Sequence, residues 1–273
     1  MSDNNIFNYE NGRFFKWTAF LITASLIAYI FDTPSIKPYG GTWLGYTLGT
    51  IGAVLILWLI MFGVRKRAYG SNLGTVRGWL SGHVYLGLSL IVVATLHTGF
   101  EFGWNVHTLA YTLMMVVIAS GVWGVVVYFK NPTLMGRSLH GQTLEDIAKS
   151  MRDLDKQCRN LLPQASPAAA QLVEESSNVE VFSSGMQRFT GNNPGCATTR
   201  VVEQMSKSAS ASSAGPDQEI YLMQVKKQQI LKRLRNYIRL RTFVELWLLF
   251  HVPLSFALLA TLTAHIVSVF FYW

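Results

Sequence analysis

The 273-residue chain is 50% hydrophobic and 14% charged, with a mean hydropathy of +0.27. Soluble domains carry roughly 25% charged residues, so an ordinary soluble enzyme is excluded. Its 23 Lys and Arg outnumber 15 Asp and Glu, leaving a net charge of +8. Such an excess suits either nucleic acid or an anionic membrane surface until the charges are placed. Two cysteines, Cys158 and Cys196, with no Cys-x-x-Cys-His, exclude a disulfide framework, covalent c-type haem and a Cys-based zinc or iron–sulfur centre.

In chain order, apolar runs near the ~20 residues needed to cross a bilayer fall at 14–31, 43–64, 79–100, 107–129 and 242–271. The predicted fold is an all-α integral membrane helix bundle with five transmembrane helices. Trp17, Trp43, Trp79, Trp104, Tyr272 and Trp273 bound the runs as interfacial anchors. The first run is too long and its exit too poor in small residues for a cleaved signal, and reads as a retained span. With five spans, every one of the 23 basic residues except Lys37 falls on one side. The positive-inside rule makes that side cytoplasmic, with the N-terminus inside and Trp273 outside, in a bacterial-type inner membrane. The charge excess then records orientation, and nucleic acid is not an expected partner.

Residues 1–129 thus carry spans one to four, 130–241 a cytoplasmic helical and disordered insertion, and 242–273 span five. In the insertion, Leu144, Ile147, Met151, Leu154 and Leu161 predict an amphipathic helix over 143–161, with Thr143 and Asp146 as a capping box. The middle is expected to be less ordered. Residues 206–216, SKSASASSAGP, have linker composition, and 217–241, with seven basic residues, predict a basic helix that either lies on anionic headgroups or is simply solvated. Gly191 to Gly195 mark a turn-rich stretch without nucleotide-loop spacing.

The chemistry-bearing pattern is four histidines: His83 and His97 in span three, His251 and His265 in span five. Each pair is 14 residues apart, about 40° short of four turns and ~21 Å along a helix, so both imidazoles share a face. The two spans run parallel, which sets His83 level with His251 and His97 level with His265. A local repeat at an offset of 168 residues supports this, matching Trp79, His83, Val84 and His97 to Trp247, His251, Val252 and His265. Two imidazoles at one depth, twice, suit bis-histidine ligation of two haems. Gly82, Gly87, Ser89 and Ala257 are small residues that would leave room for flat rings, and Arg77, Arg239 and Arg241 are candidate propionate partners of the inner haem. A single four-histidine zinc cage is excluded by the ~21 Å between levels. A histidine proton relay lacks buried carboxylates, since Glu101 and Glu245 lie at span ends. His107, at the start of span four, is a candidate quinone or propionate contact together with Glu101. His140 is expected on the surface, and Pro253 is expected to disturb the helix beside His251.

This pattern resembles the dihaem transmembrane b-type cytochromes, particularly the ferric-reductase-like and NADPH-oxidase-like membrane domain, over roughly residues 43–129 and 242–273. The resemblance covers the haem part alone, without a flavin domain. It implies that His83 and His251 ligate the iron of an inner haem b, and His97 and His265 that of an outer one. The respiratory cytochrome b of quinol-oxidising complexes carries similar paired histidines.

The expected function is a dihaem cytochrome b that carries electrons across the membrane between a redox partner or quinone and an acceptor on the opposite side. It would serve as the electron-transfer subunit of an oxidoreductase complex, with a protein partner docking at the insertion. A quinone-reactive subunit with a site near His107 is the alternative in the same class. A non-redox scaffold or transporter with a partner-binding insertion is the alternative in another.

Overall fold

A computed structural model describes residues 6–34, 37–68, 70, 72–139, 141–177, 181–182, 184–209 and 215–271. Among them there is no strand. The helices are α1 (Arg13–Phe31), α2 (Trp43–Arg67), α3 (Val76–Thr98), α4 (Val106–Leu139), α5 (Leu144–Leu161), α6 (Pro167–Ser177), α7 (Gln187–Thr190), α8 (Ala197–Ala209) and α9 (Pro216–Phe271). Five of them, α1 to α4 and α9, are long and apolar enough to cross a membrane. The chain is therefore an all-α membrane protein. His140 and the closing Tyr272 and Trp273 lie outside the described residues.

Two compact units divide the chain: Met1–Gly124 with Leu248–Trp273, and Val125–Trp247. In the first, polarity is inverted relative to a water-soluble domain. Phe20 is 65% exposed, Phe31 79% and Phe270 72%, while Thr18, Ser25, Ser81 and Ser89 are buried. Lipid tails solvate large apolar side chains as well as a protein core does, so the interior goes to small residues that let helices approach closely. Gly45, Gly52, Gly78 and Gly82 are buried on α2 and α3 accordingly. α3 packs most closely against α2 and α1. Ile56, Leu90, Met114, Leu258 and Leu262 bring α2, α3, α4 and α9 around one apolar cluster.

Helix ends in this unit follow from local chemistry. The hydroxyls of Thr42 and Thr75 accept the Gly45 and Gly78 N–H groups and start α2 and α3. α3 stops at Gly99, whose φ of 58° lies in the left-handed region. A Cβ there would run into the Pro38 carbonyl, so the chain turns tightly against the segment before α2, two residues after His97. Pro253 lies inside α9, which continues through it.

The Val125–Trp247 unit has an ordinary apolar core of Cys158, Ala169, Val173, Val201, Met205 and Ile220. α5 begins with the capping box: Thr143 Oγ1 accepts the Asp146 N–H, and Asp146 accepts the Thr143 N–H at 2.9 Å. The bonds that the Asp146 carboxyl accepts from the Thr143 N–H and hydroxyl hold it below its usual range. The middle of the insertion, expected to be less ordered, instead contains α6, α7 and α8. Ala169 with Val173, and Val201 with Met205, sit four residues apart and give α6 and α8 one buried face each. Ser206 to Ala209 end α8, and residues 210–214 lie outside the described residues. The basic stretch 217–241 and the fifth apolar run are one helix, α9. Inside this unit Lys227 is 1% exposed and donates to Asp155 at 2.5 Å and to the Ser176 carbonyl at 2.7 Å. A buried ammonium needs both, because desolvating it alone costs several kcal/mol.

Candidate functional site

Four imidazoles meet in two pairs within the membrane unit. The ring centres of His83 on α3 and His251 on α9 are 6.4 Å apart, with their planes at 66°. Those of His97 on α3 and His265 on α9 are 6.0 Å apart, at 86°. Along α3 the two levels are separated by 14 residues, ~21 Å of helix. A metal held between two imidazole nitrogens at about 2 Å each leaves the ring centres about 6 Å apart. Both pairs have that spacing.

Each ring is oriented by a partner on its Nδ1. His83 Nδ1 bonds the Leu59 carbonyl at 3.1 Å, and His97 Nδ1 bonds the Gly45 carbonyl at 2.7 Å, both on α2. Carbonyl oxygens only accept, so each of these histidines carries its proton on Nδ1. His251 Nδ1 lies 2.7 Å from Ser120 Oγ on α4, whose own hydroxyl donates to the Val117 carbonyl at 2.7 Å. With its proton already committed, Ser120 accepts from His251, giving the same tautomer. In all three, Nε2 keeps the lone pair. A neutral histidine pinned through one nitrogen and ligating through the other is the usual arrangement around protein-bound metals.

The fourth ring, His265, differs. Its Nδ1 faces His107 Nδ1 at 2.5 Å, with ring centres 4.6 Å apart. His107 therefore belongs to the outer pair itself. Among the described residues no set of three or more His, Cys, Asp or Glu side chains converges as a metal cage. The inner level thus offers two imidazoles, and the outer level two with His107 as a third ring against His265.

Glycines make room for these rings. A Cβ on Gly49 would come within 2.7 Å of His97 Cε1, and one on Gly40 within 3.3 Å. On the other level, a Cβ on Gly121 would stand 3.4 Å from His251 Cε1. Gly82, read from the sequence as space for a flat ring, serves a different contact. Its missing Cβ would meet Trp58 at 2.6 Å and Phe14 at 2.9 Å, so it lets α1 and α2 close on α3. It lies 100° around the helix from His83, away from the imidazole face. Gly87 stays on that face, where a Cβ would meet Leu59 among the described residues at an ordinary 3.9 Å. Ser89 is fully buried and donates to the Leu86 carbonyl. Phe62 flanks His83 with ring centres 5.2 Å apart, and Trp79 stacks on Trp58 at 4.9 Å, almost parallel.

The remaining sequence candidates sit elsewhere. Arg77 is exposed in the first turn of α3. Arg239 and Arg241 belong to the other unit, where Arg239 donates to Asn236 Oδ1 and Arg241 pairs with Glu245 at 2.7 Å. Glu101 is exposed in the α3–α4 connection, its backbone N–H bonded to the Thr98 carbonyl. Leu59, Gly45, Gly49, Ser120 and Gly121 were not candidates from the sequence. Two carry main-chain acceptors, which have no side-chain signature. Gly121 did have one, since it follows His107 by the same 14 residues that separate the other histidines. Comparison of the chain with protein-family models, with curated proteins and with solved structures finds no match.

Proposed function

We propose that the chain is a dihaem b-type cytochrome, an electron-transfer subunit that carries electrons from one face of a bacterial-type inner membrane to the other. The observation that supports this reading is the pair of imidazole pairs, each with ring centres about 6 Å apart and three of the four rings held as the tautomer that leaves Nε2 for a metal. Bound haem would supply reversible one-electron chemistry at iron. His83 and His251 would hold one haem iron at one depth, and His97 and His265 the other. Leu59, Gly45 and Ser120 fix the rings and strengthen them as donors. Gly49 and Gly121 let the rings lie against α2 and α4. Small and apolar side chains around them keep water from the interior.

The topology implied by the basic residues puts the His83 level toward the cytoplasm and the His97 level toward the outside. The chain has no sequence motif for flavin, nicotinamide or an iron–sulfur cluster, so the 130–241 insertion is the proposed docking site for a redox protein, and the chain works within a larger complex. The test is the haem-to-protein ratio of the purified protein by pyridine haemochrome. Two haem b per chain with a low-spin spectrum is the expected result, and colourless protein at full folding would refute the reading in favour of a scaffold or transporter.

A further inference from the structure

The outer pair contains a choice that the inner pair does not. His83 and His97 each face a carbonyl oxygen, which can only accept, and His251 faces the Ser120 hydroxyl, whose proton goes to the Val117 carbonyl, so the protein alone favours one tautomer of each. Between His265 and His107 the contact is nitrogen to nitrogen, and one proton serves both. If His265 donates, its Nε2 keeps a lone pair and can bind a metal. If His107 donates, His265 must hold its proton on Nε2 and cannot. Ligation by His265 therefore requires His107 Nδ1 to be the acceptor, with the His107 proton on Nε2.

We infer that His107 is a positioning residue of the outer site. Its Nδ1 accepts the His265 Nδ1–H, selects the ligating tautomer and fixes the ring angle, as Ser120 does for His251. The inference rests on the dihaem reading and adds a role that the paired histidines alone do not assign. His107 is well placed for it: it opens α4 in the second residue of the helix, and its neighbouring turn is anchored by Asn105 Oδ1, which accepts the Thr108 N–H at 3.0 Å. One turn further on, Tyr111 OH meets Thr95 Oγ1 at 2.9 Å and ties α4 to α3 close to the same level. The first turns of α4, which carry His107, are thus held by two independent contacts.

A hydrogen-bond acceptor on Nδ1 makes an axial imidazole a stronger donor and favours the ferric state. His107→Leu removes the acceptor and should raise the midpoint potential of the outer haem, or weaken its retention, leaving the inner haem unchanged. It should also alter the low-spin ferric electron paramagnetic resonance signal of the outer haem alone. His107→Gln restores a carbonyl acceptor and should return potential, signal and haem content toward the parent values. A purely steric role predicts that the two variants behave alike, which would overturn the inference, as would an unchanged outer potential and signal in His107→Leu. Loss of the outer haem in both His107 variants but its retention in His265→Ala would make His107 the ligand and also overturn it. Parent protein with two haems alongside either of these results would leave the dihaem reading standing, whereas parent protein without haem would remove both.

Discussion

The two imidazole levels are built from the same parts on different supports. At the inner level α2 supplies a carbonyl from Leu59 and α4 a hydroxyl from Ser120. At the outer level α2 again supplies a carbonyl, from Gly45, while α4 supplies a third imidazole, His107. The packing differs as well. His97 lies so close over Gly49 that a single methyl group would strike it at 2.7 Å, whereas His251 leaves 3.4 Å at Gly121. The contrast shows that a repeated histidine frame on α3 and α9 does not make two equal sites. The helices beside them decide how tightly each ring is held and by what kind of partner.

Substitutions can break or sharpen that contrast. The largest effect is expected from the ligands. On the proposed dihaem reading, His83→Ala and His251→Ala should each remove the same haem, and His97→Ala and His265→Ala the other, read as half the parent haem content with distinct residual spectra. Four variants that lose the same haem, or none, would erase the distinction between levels. Next comes Gly49→Ala. Its methyl must displace the His97 ring, and overpacking of this kind costs about 1–3 kcal/mol. The outer haem should be retained roughly tenfold more weakly while the inner one is kept. Ser120→Ala removes the oxygen that faces the part-buried His251 Nδ1, and loss of such outer contacts typically costs about tenfold or more in metal affinity. It should raise the inner potential, measured by redox titration, and leave the outer potential in place. Gly121→Ala meets His251 at ordinary contact distance and should have the smallest effect, a shift of the inner haem spectrum with full occupancy. If it were as damaging as Gly49→Ala, the packing difference between the levels would be wrong.

Much of the membrane unit was legible because bilayer thickness imposes a length on every span. The five apolar runs match α1 to α4 and the apolar part of α9 to within a few residues at most ends. The proximity of His83 to His251 and of His97 to His265 could be reasoned from two numbers, the 14-residue spacing and the odd count of spans between α3 and α9, since both depend only on helix period and direction. What could not be read is the orientation of each ring. Leu59 and Gly45 act through main-chain oxygens that every residue has, so their identity carries no signal. His107 depended on the rotation of α4, which is set by packing such as the Thr95–Tyr111 contact. The error over Gly82 has the same origin: a small residue signals close approach, but not whether a cofactor or Trp58 makes it. In the insertion the amphipathic helix from Thr143 was clear from its cap and its apolar stripe. α6 and α8 were not, because each buries only a short stripe that includes Ala169, Ser176 and Thr198, residues whose presence inside a core is invisible to hydropathy.

The stacked indoles of Trp58 and Trp79 have an optical consequence. Their centres are 4.9 Å apart and their planes 9° apart, and Trp79 precedes His83 by one helical turn on the same helix. Tryptophan emits in the near ultraviolet, where haem absorbs strongly, so an iron porphyrin held by His83 and His251 would drain the excited state of this pair by energy transfer. Filling the haem sites would darken the protein's intrinsic fluorescence, and protein without haem would regain it. The stacked pair would then serve as a built-in reporter of haem occupancy, its share of the emission given by the difference between the parent and a variant with both Trp58 and Trp79 replaced by Phe.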